Sequence, residues 1–111
     1  MEITLRPTDT CDIVAIKGRI DSYTAPDLSE KLNEITAEQR YKIILEMSDV
    51  LFVSSAGLRV LIDIQKTCKK MKQGEVILVN IQTRVYDTLE LAGFVPLFKF
   101  YTDVSSAIDA F

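Results

Sequence analysis

Two adjacent serines, Ser54 and Ser55, stand between an apolar run, Val50 to Val53, and a periodic segment that opens with Ala56-Gly57-Leu58. A hydroxyl at such a junction can do two things. It can cap the helix by accepting a backbone N–H. It can also stand exposed as an acceptor for phosphoryl transfer. A helix N-terminus tolerates a phosphate, because its free N–H groups and dipole favour negative charge. A phosphoserine there would leave the fold intact and change the surface sharply. Both readings stay open on spacing alone.

Other chemistries find little support. The chain has no histidine, which excludes a Ser-His-Asp hydrolase, and there is no Gly-x-Ser-x-Gly elbow. Neither a P-loop nor Gly-x-Gly-x-x-Gly occurs, so no nucleotide cradle is expected. Glu46 and Asp49 lie three apart, a spacing that reads as solvation or capping rather than acid/base work. The two cysteines, Cys11 and Cys68, have no histidine to join them in a zinc site, and no metal or cofactor is predicted. Cys68 continues an apolar stripe and is expected to be buried. Cys11 sits in a polar turn and is expected at the surface.

The elements that must carry these residues follow from periodicity. The chain has 111 residues, 48% hydrophobic and 26% charged, which suits one globular domain spanning 1–111. Ile3 and Leu5 alternate with Glu2, Thr4 and Arg6, predicting a half-exposed strand. A Pro7-Thr8-Asp9-Thr10 turn leads to a second strand, Ile13 to Ile16, ending at Gly18. The two form an antiparallel hairpin. Residues 19 to 25 then read as a loop, with Thr24 or Ser22 as N-cap and Pro26 in the first turn of a helix that buries Ala25, Leu28, Leu32 and Ile35. Ile43-Ile44-Leu45 and Val50 to Val53 are two apolar runs, the first typical of a central strand covered on both faces. Gly57, Leu61, Ile64, Cys68 and Met71 make a helical stripe, stopped at Gly74. Val76 to Val79 is a further strand. Val85, Leu89 and Ala92 mark a helix with Gly93 as its C-cap. Leu97, Phe98 and Phe100 form a fifth strand, and Val104, Ala107, Ile108 and Phe111 a last helix begun near Asp103.

The order is ββαβαβαβα: an α/β domain with a mixed, mostly parallel sheet and four helices. Binding residues in such folds sit on loops at the carboxyl ends of strands, here 19 to 25 and 51 to 58. Formal net charge is -3, which argues against nucleic acid. The basic cluster Lys66, Lys69, Lys70 and Lys72 reads as the solvated end of a helix. No cationic, apolar leader opens the sequence and no apolar run approaches ~18 residues, so a cytoplasmic protein that does not enter membranes is predicted.

Three segments carry a resemblance. Val50-Leu51-Phe52-Val53-Ser54-Ser55-Ala56-Gly57-Leu58-Arg59-Val60-Leu61 resembles the phosphorylation loop of STAS domains, specifically the stand-alone anti-sigma factor antagonists of bacteria. Gly18-Arg19-Ile20-Asp21-Ser22-Tyr23-Thr24-Ala25-Pro26-Asp27-Leu28 is similar to the family's loop before its first helix. Val85-x-x-x-Leu89-x-x-x-Gly93-Phe94 with Leu97-Phe98 is the third, and the resemblance covers the whole chain, with the element order expected of the family. The resemblance implies a STAS fold and a regulator that is no enzyme and works by partner switching. Unphosphorylated, it would bind an anti-sigma factor that is also a serine kinase using ATP and Mg²⁺. Phosphorylation would break the complex, and a metal-dependent serine phosphatase would restore it. The acceptor maps to Ser55, with Ser54 a minor candidate. Asp21, Ser22, Thr24, Ser54, Ala56, Gly57 and Arg59 map to the partner surface. Many family members carry Asp where this chain has Ser54, Ser or Thr where it has Ala56, and a small residue where it has Arg59. The usual acidic residue of the preceding strand is Glu46. The alternative reading is a constitutive STAS scaffold, or a sensor-complex component, without the switch.

Overall fold

The computed structural model describes residues 1–111. The chain runs β1 (Glu2–Pro7), β2 (Asp12–Ile20), α1 (Ala25–Ala37), β3 (Lys42–Val53), α2 (Ser55–Lys69), β4 (Glu75–Val79), α3 (Thr83–Leu91), a 3-10 turn (Val95–Leu97), β5 (Lys99–Tyr101) and α4 (Val104–Asp109). The five strands form one sheet in the order β1-β2-β3-β4-β5. β1 is antiparallel to β2, and the other neighbours are parallel. The mixed, mostly parallel sheet with four helices is as the sequence predicts.

Alternation along the central strands explains their unbroken apolar runs. Ile43, Leu45, Val76 and Leu78 enter the main core with Leu28 and Leu32 of α1, Leu61, Ile64 and Cys68 of α2, and Val85 and Leu89 of α3. Ile44, Ile77 and Val79 point to the opposite face, where they meet Ile13, Cys11 and Ala107 of α4. Each of these side chains is nearly or wholly removed from water, worth roughly 1.5–3 kcal/mol apiece relative to exposure.

Several boundaries differ from the sequence reading. The runs at 43–45 and 50–53 belong to one strand, because β2 accompanies β3 along its length through register shifts at Ala15/Lys17 and Gly18/Arg19. Gly18, at φ 111°, makes that irregularity possible, so β2 does not end there. Arg19 and Ile20 are strand residues, not loop. α2 stops at Lys69, and Met71 lies beyond it, exposed rather than continuing the stripe. Gly74 is required for a different reason: a Cβ there would sit 2.0 Å from the Cys68 carbonyl oxygen. Gly93, at φ 79°, follows α3 as expected. Leu97 belongs to the 3-10 turn, and β5 begins only at Lys99. Cys11 is buried, not exposed. The Thr8 hydroxyl accepts from the Cys11 amide at 3.0 Å and donates to its carbonyl at 2.8 Å, folding the turn so that the thiol points into the smaller core.

Candidate functional site

β2 and β3 are parallel neighbours, with Ile20 paired to Val53, so the segments that follow them leave the sheet side by side. The Ser54 amide donates to the Ile20 carbonyl at 2.8 Å. Three residues on, Gly57 is buried against the same carbonyl: a Cβ would lie 2.7 Å from the Ile20 oxygen and 3.0 Å from Val53 Cγ1. Only glycine lets the first turn of α2 approach so closely. Gly57, which the sequence reading grouped with the partner-contact residues, is buried and positions the start of α2.

The two serines divide the work at the helix start. Ser54 is the N-cap, in extended conformation, and its Oγ accepts from the Gly57 amide at 3.2 Å. Ser55, the first helical residue, is exposed. Ala56 is half-buried, while Arg59 is exposed one turn further on. Ser55 and Arg59 line an open groove of ≈ 490 Å³ with Leu58, Ile62, Asp63, Lys66, Ala92 and Phe94, between α2 and the end of α3.

The neighbouring loop is held by Asp21. Its Oδ1 accepts from the Tyr23 amide at 3.0 Å and the Thr24 amide at 3.1 Å. The Thr24 amide is the largest cause, and with Tyr23, the Thr24 hydroxyl and Arg19 it holds the Asp21 carboxyl below its ordinary range against the opposing effect of desolvation. Thr24 Oγ1 accepts from the Asp21 amide at 3.0 Å and donates to the Arg19 carbonyl at 2.7 Å. Thr24 occupies the N-cap position of α1 but makes no side-chain cap, and Ser22 makes none either. The sequence predicts one or the other as the cap. The hydroxyl of Thr24 is drawn backward into the Asp21 turn, and Pro26 removes one of the N–H groups a cap would serve.

Sequence reasoning missed apolar surface at this end of the sheet. Tyr23 is 92% exposed and Leu51 is 53% exposed. The Arg19 guanidinium lies 4.4 Å from the centroid of the Phe52 ring and 3.9 Å from the Asp21 carboxylate. An aromatic residue in the polar loop Asp21-Ser22-Tyr23-Thr24 was the available signal.

Burial pushes Glu46 up, but donors from the Ser48 amide and Asn80 Nδ2, at 2.7 and 2.8 Å, outweigh it and leave the carboxyl below its ordinary range. No group of three or more acidic, cysteine or histidine side chains could hold a metal ion. No helix is long and apolar enough to cross a membrane.

With a mixed sheet of this order and an exposed serine opening the helix after its long third strand, the chain belongs to the STAS domain family, whose model matches residues 2–107. Several similar proteins are named anti-sigma factor antagonists. The chain is 30% identical to the anti-sigma-B factor antagonist of Listeria monocytogenes over 93 residues, covering 84% of this chain and 80% of that protein. An anti-sigma factor antagonist from Mycobacterium paratuberculosis superposes with a TM-score of 0.86 at 24% identity, over 98% of this chain and 92% of that one. The Bacillus cell fate determinant SpoIIAA in its phosphorylated form superposes with a TM-score of 0.77 at 17% identity, over 98% of each chain.

Proposed function

We propose that this chain is an anti-sigma factor antagonist switched by phosphorylation of Ser55. In the unphosphorylated form it binds an anti-sigma factor that also acts as its serine kinase, through the surface formed by Ser55, Arg59 and the Asp21–Thr24 loop. The observation that carries the reading is the split between the serines: Ser54 is engaged as the cap of α2, while Ser55 is exposed at the first helical position. Relatives named as anti-sigma-B factor antagonists support the partner class.

The switch follows from electrostatics. Phosphorylation adds about -1.5 to -2 charges at neutral pH. The free N–H groups of α2 accommodate that charge at about 0.3–1 kcal/mol of favourable dipole interaction, so the fold persists. A partner that has closed over an uncharged hydroxyl must instead desolvate the phosphate. One like-charge contact near 4 Å is unfavourable by roughly 4 kcal/mol at an effective dielectric of 20. That raises the dissociation constant about a thousandfold. A metal-dependent phosphatase resets the hydroxyl.

The test is phosphosite mapping after incubation with the anti-sigma kinase and ATP, alongside binding of Ser55→Ala. Label confined to Ser55, with Ser55→Ala unlabelled and still bound in the presence of ATP, supports the switch. Label on Ser54, or on neither serine, leaves a scaffold that binds without switching.

A further inference from the structure

β1 is a free edge. It pairs with β2 on one side and with no strand on the other. A row of unpaired backbone donors and acceptors is a template for another strand, and proteins ordinarily protect such edges with charge. Here the edge carries one charge of each sign. Glu2 and Arg6 are both exposed, and neither takes part in any of the molecule's ion pairs. Leu5 lies between them in sequence, opposite Val14 of the main core, and is 42% exposed.

Symmetry restricts how two copies of this strand can meet. In an antiparallel pair related by a two-fold axis, the residue numbers facing each other have a constant sum. That sum must be even, because an odd one sets opposite faces of the pleat against each other. Centring the pair on Ile3 sets Glu2 against Thr4 and Met1 against Leu5. Centring it on Leu5 sets Arg6 against Thr4 and Ile3 against Pro7. Centring it on Thr4 sets Glu2 of each copy against Arg6 of the other, and Ile3 against Leu5. Only this register matches both charges, covers Leu5 with an aliphatic side chain and uses the strand up to Pro7, whose missing N–H ends the ladder.

We propose that β1 is a self-association edge: two copies pair antiparallel about Thr4, through reciprocal Glu2–Arg6 contacts, into a continuous ten-stranded sheet made of the two five-stranded ones. The two-fold axis stands perpendicular to the sheet, so the parallel strands of the two copies point in opposite directions. The Ser55 surfaces then lie at opposite ends of the dimer, and both stay open. The inference does not depend on the function proposed for Ser55.

Sedimentation velocity of the untagged full chain, from about 10 µM to about 1 mM, tests it. The expected result is a concentration-dependent dimer that Glu2→Arg and Arg6→Glu each weaken at least about tenfold, since each variant sets like charges opposite one another. One variant then carries two cations on the edge and the other two carboxylates, so an equimolar mixture should recover dimer at the wild-type concentration or below. Unchanged thermal melts of the separate variants show that the fold is intact. A wild-type chain that remains monomeric at about 1 mM overturns the proposal. So do single variants that dimerise as wild type does, or a mixture that stays monomeric.

Discussion

The amide of Ser54 donates to the carbonyl of Ile20 at 2.8 Å, and this bond joins the last residue of β2 to the first residue after β3. It registers the Asp21 loop against the start of α2. Gly57, packed on the same carbonyl, leaves no room for that registration to drift. Gly57→Ala should therefore cost about 1–3 kcal/mol, read from urea denaturation, because the obstructing atoms are strand backbone and a buried isoleucine. A melt within about 0.5 kcal/mol of wild type would show that the helix start can shift.

Ser54→Ala should remove the cap of α2 and cost about 1 kcal/mol. The same variant should still accept phosphate at Ser55. Stability and modification would thus separate onto adjacent serines, measured by denaturation and intact mass on one sample.

Gln65 is a buried polar side chain without a catalytic part. Its Oε1 accepts from the Val76 amide at 2.7 Å, and its Nε2 donates to the carbonyls of Val76 at 3.1 Å and Leu97 at 2.8 Å. β5 pairs with β4 only from Ile77 onward, so Gln65 replaces the missing strand at Val76. Gln65→Leu should cost about 2–4 kcal/mol in thermal or urea unfolding, since it strands a buried N–H and two carbonyls.

Asp21 and Asp103 both have lowered pKa values. The Thr24 amide is the largest cause for the first and the Ser106 amide for the second. A carboxyl lowered on folding contributes stability above its unfolded pKa, and that contribution is lost as pH falls through the folded value. Unfolding midpoints should hold from neutral pH down to about 5 and decline below about 4. Asp21→Asn should flatten part of that decline.

Both thiols are buried and unpaired, and burial pushes Cys68 up to about 11. An aromatic disulfide reagent at neutral pH should label neither cysteine in the native protein and both in urea. Rapid labelling of the folded chain would contradict the burial of the Thr8–Cys11 turn.

Periodicity carried most of the architecture. Ile43, Ile44 and Leu45 announce a central strand because consecutive residues can be apolar only when both faces are covered, and helices do cover both. What periodicity could not supply were contacts set by distant chain. The choice between Ser54 and Ser55 depends on where the helical dihedrals begin, and neighbouring hydroxyls look alike in sequence. Thr24 has the composition of a cap, yet its hydroxyl is taken by Asp21 and Arg19. Gln65 sits at a stripe position between Leu61 and Cys68, but its purpose depends on how late β5 starts. Cys11 lies among polar residues, and only the Thr8 hydroxyl and the Arg40 contacts to the Thr8 and Cys11 carbonyls turn it inward.

The strand order β1-β2-β3-β4-β5 repeats the order of synthesis. Each strand, as it leaves the ribosome, finds its only earlier neighbour already present, and no later segment has to be inserted between two that have paired. The sheet can grow by accretion from the N-terminal hairpin, with α1 and α2 able to close the first three strands before β4 is made. Chain entropy is then spent in short instalments, a route that favours rapid folding and leaves few apolar edges waiting for a missing partner.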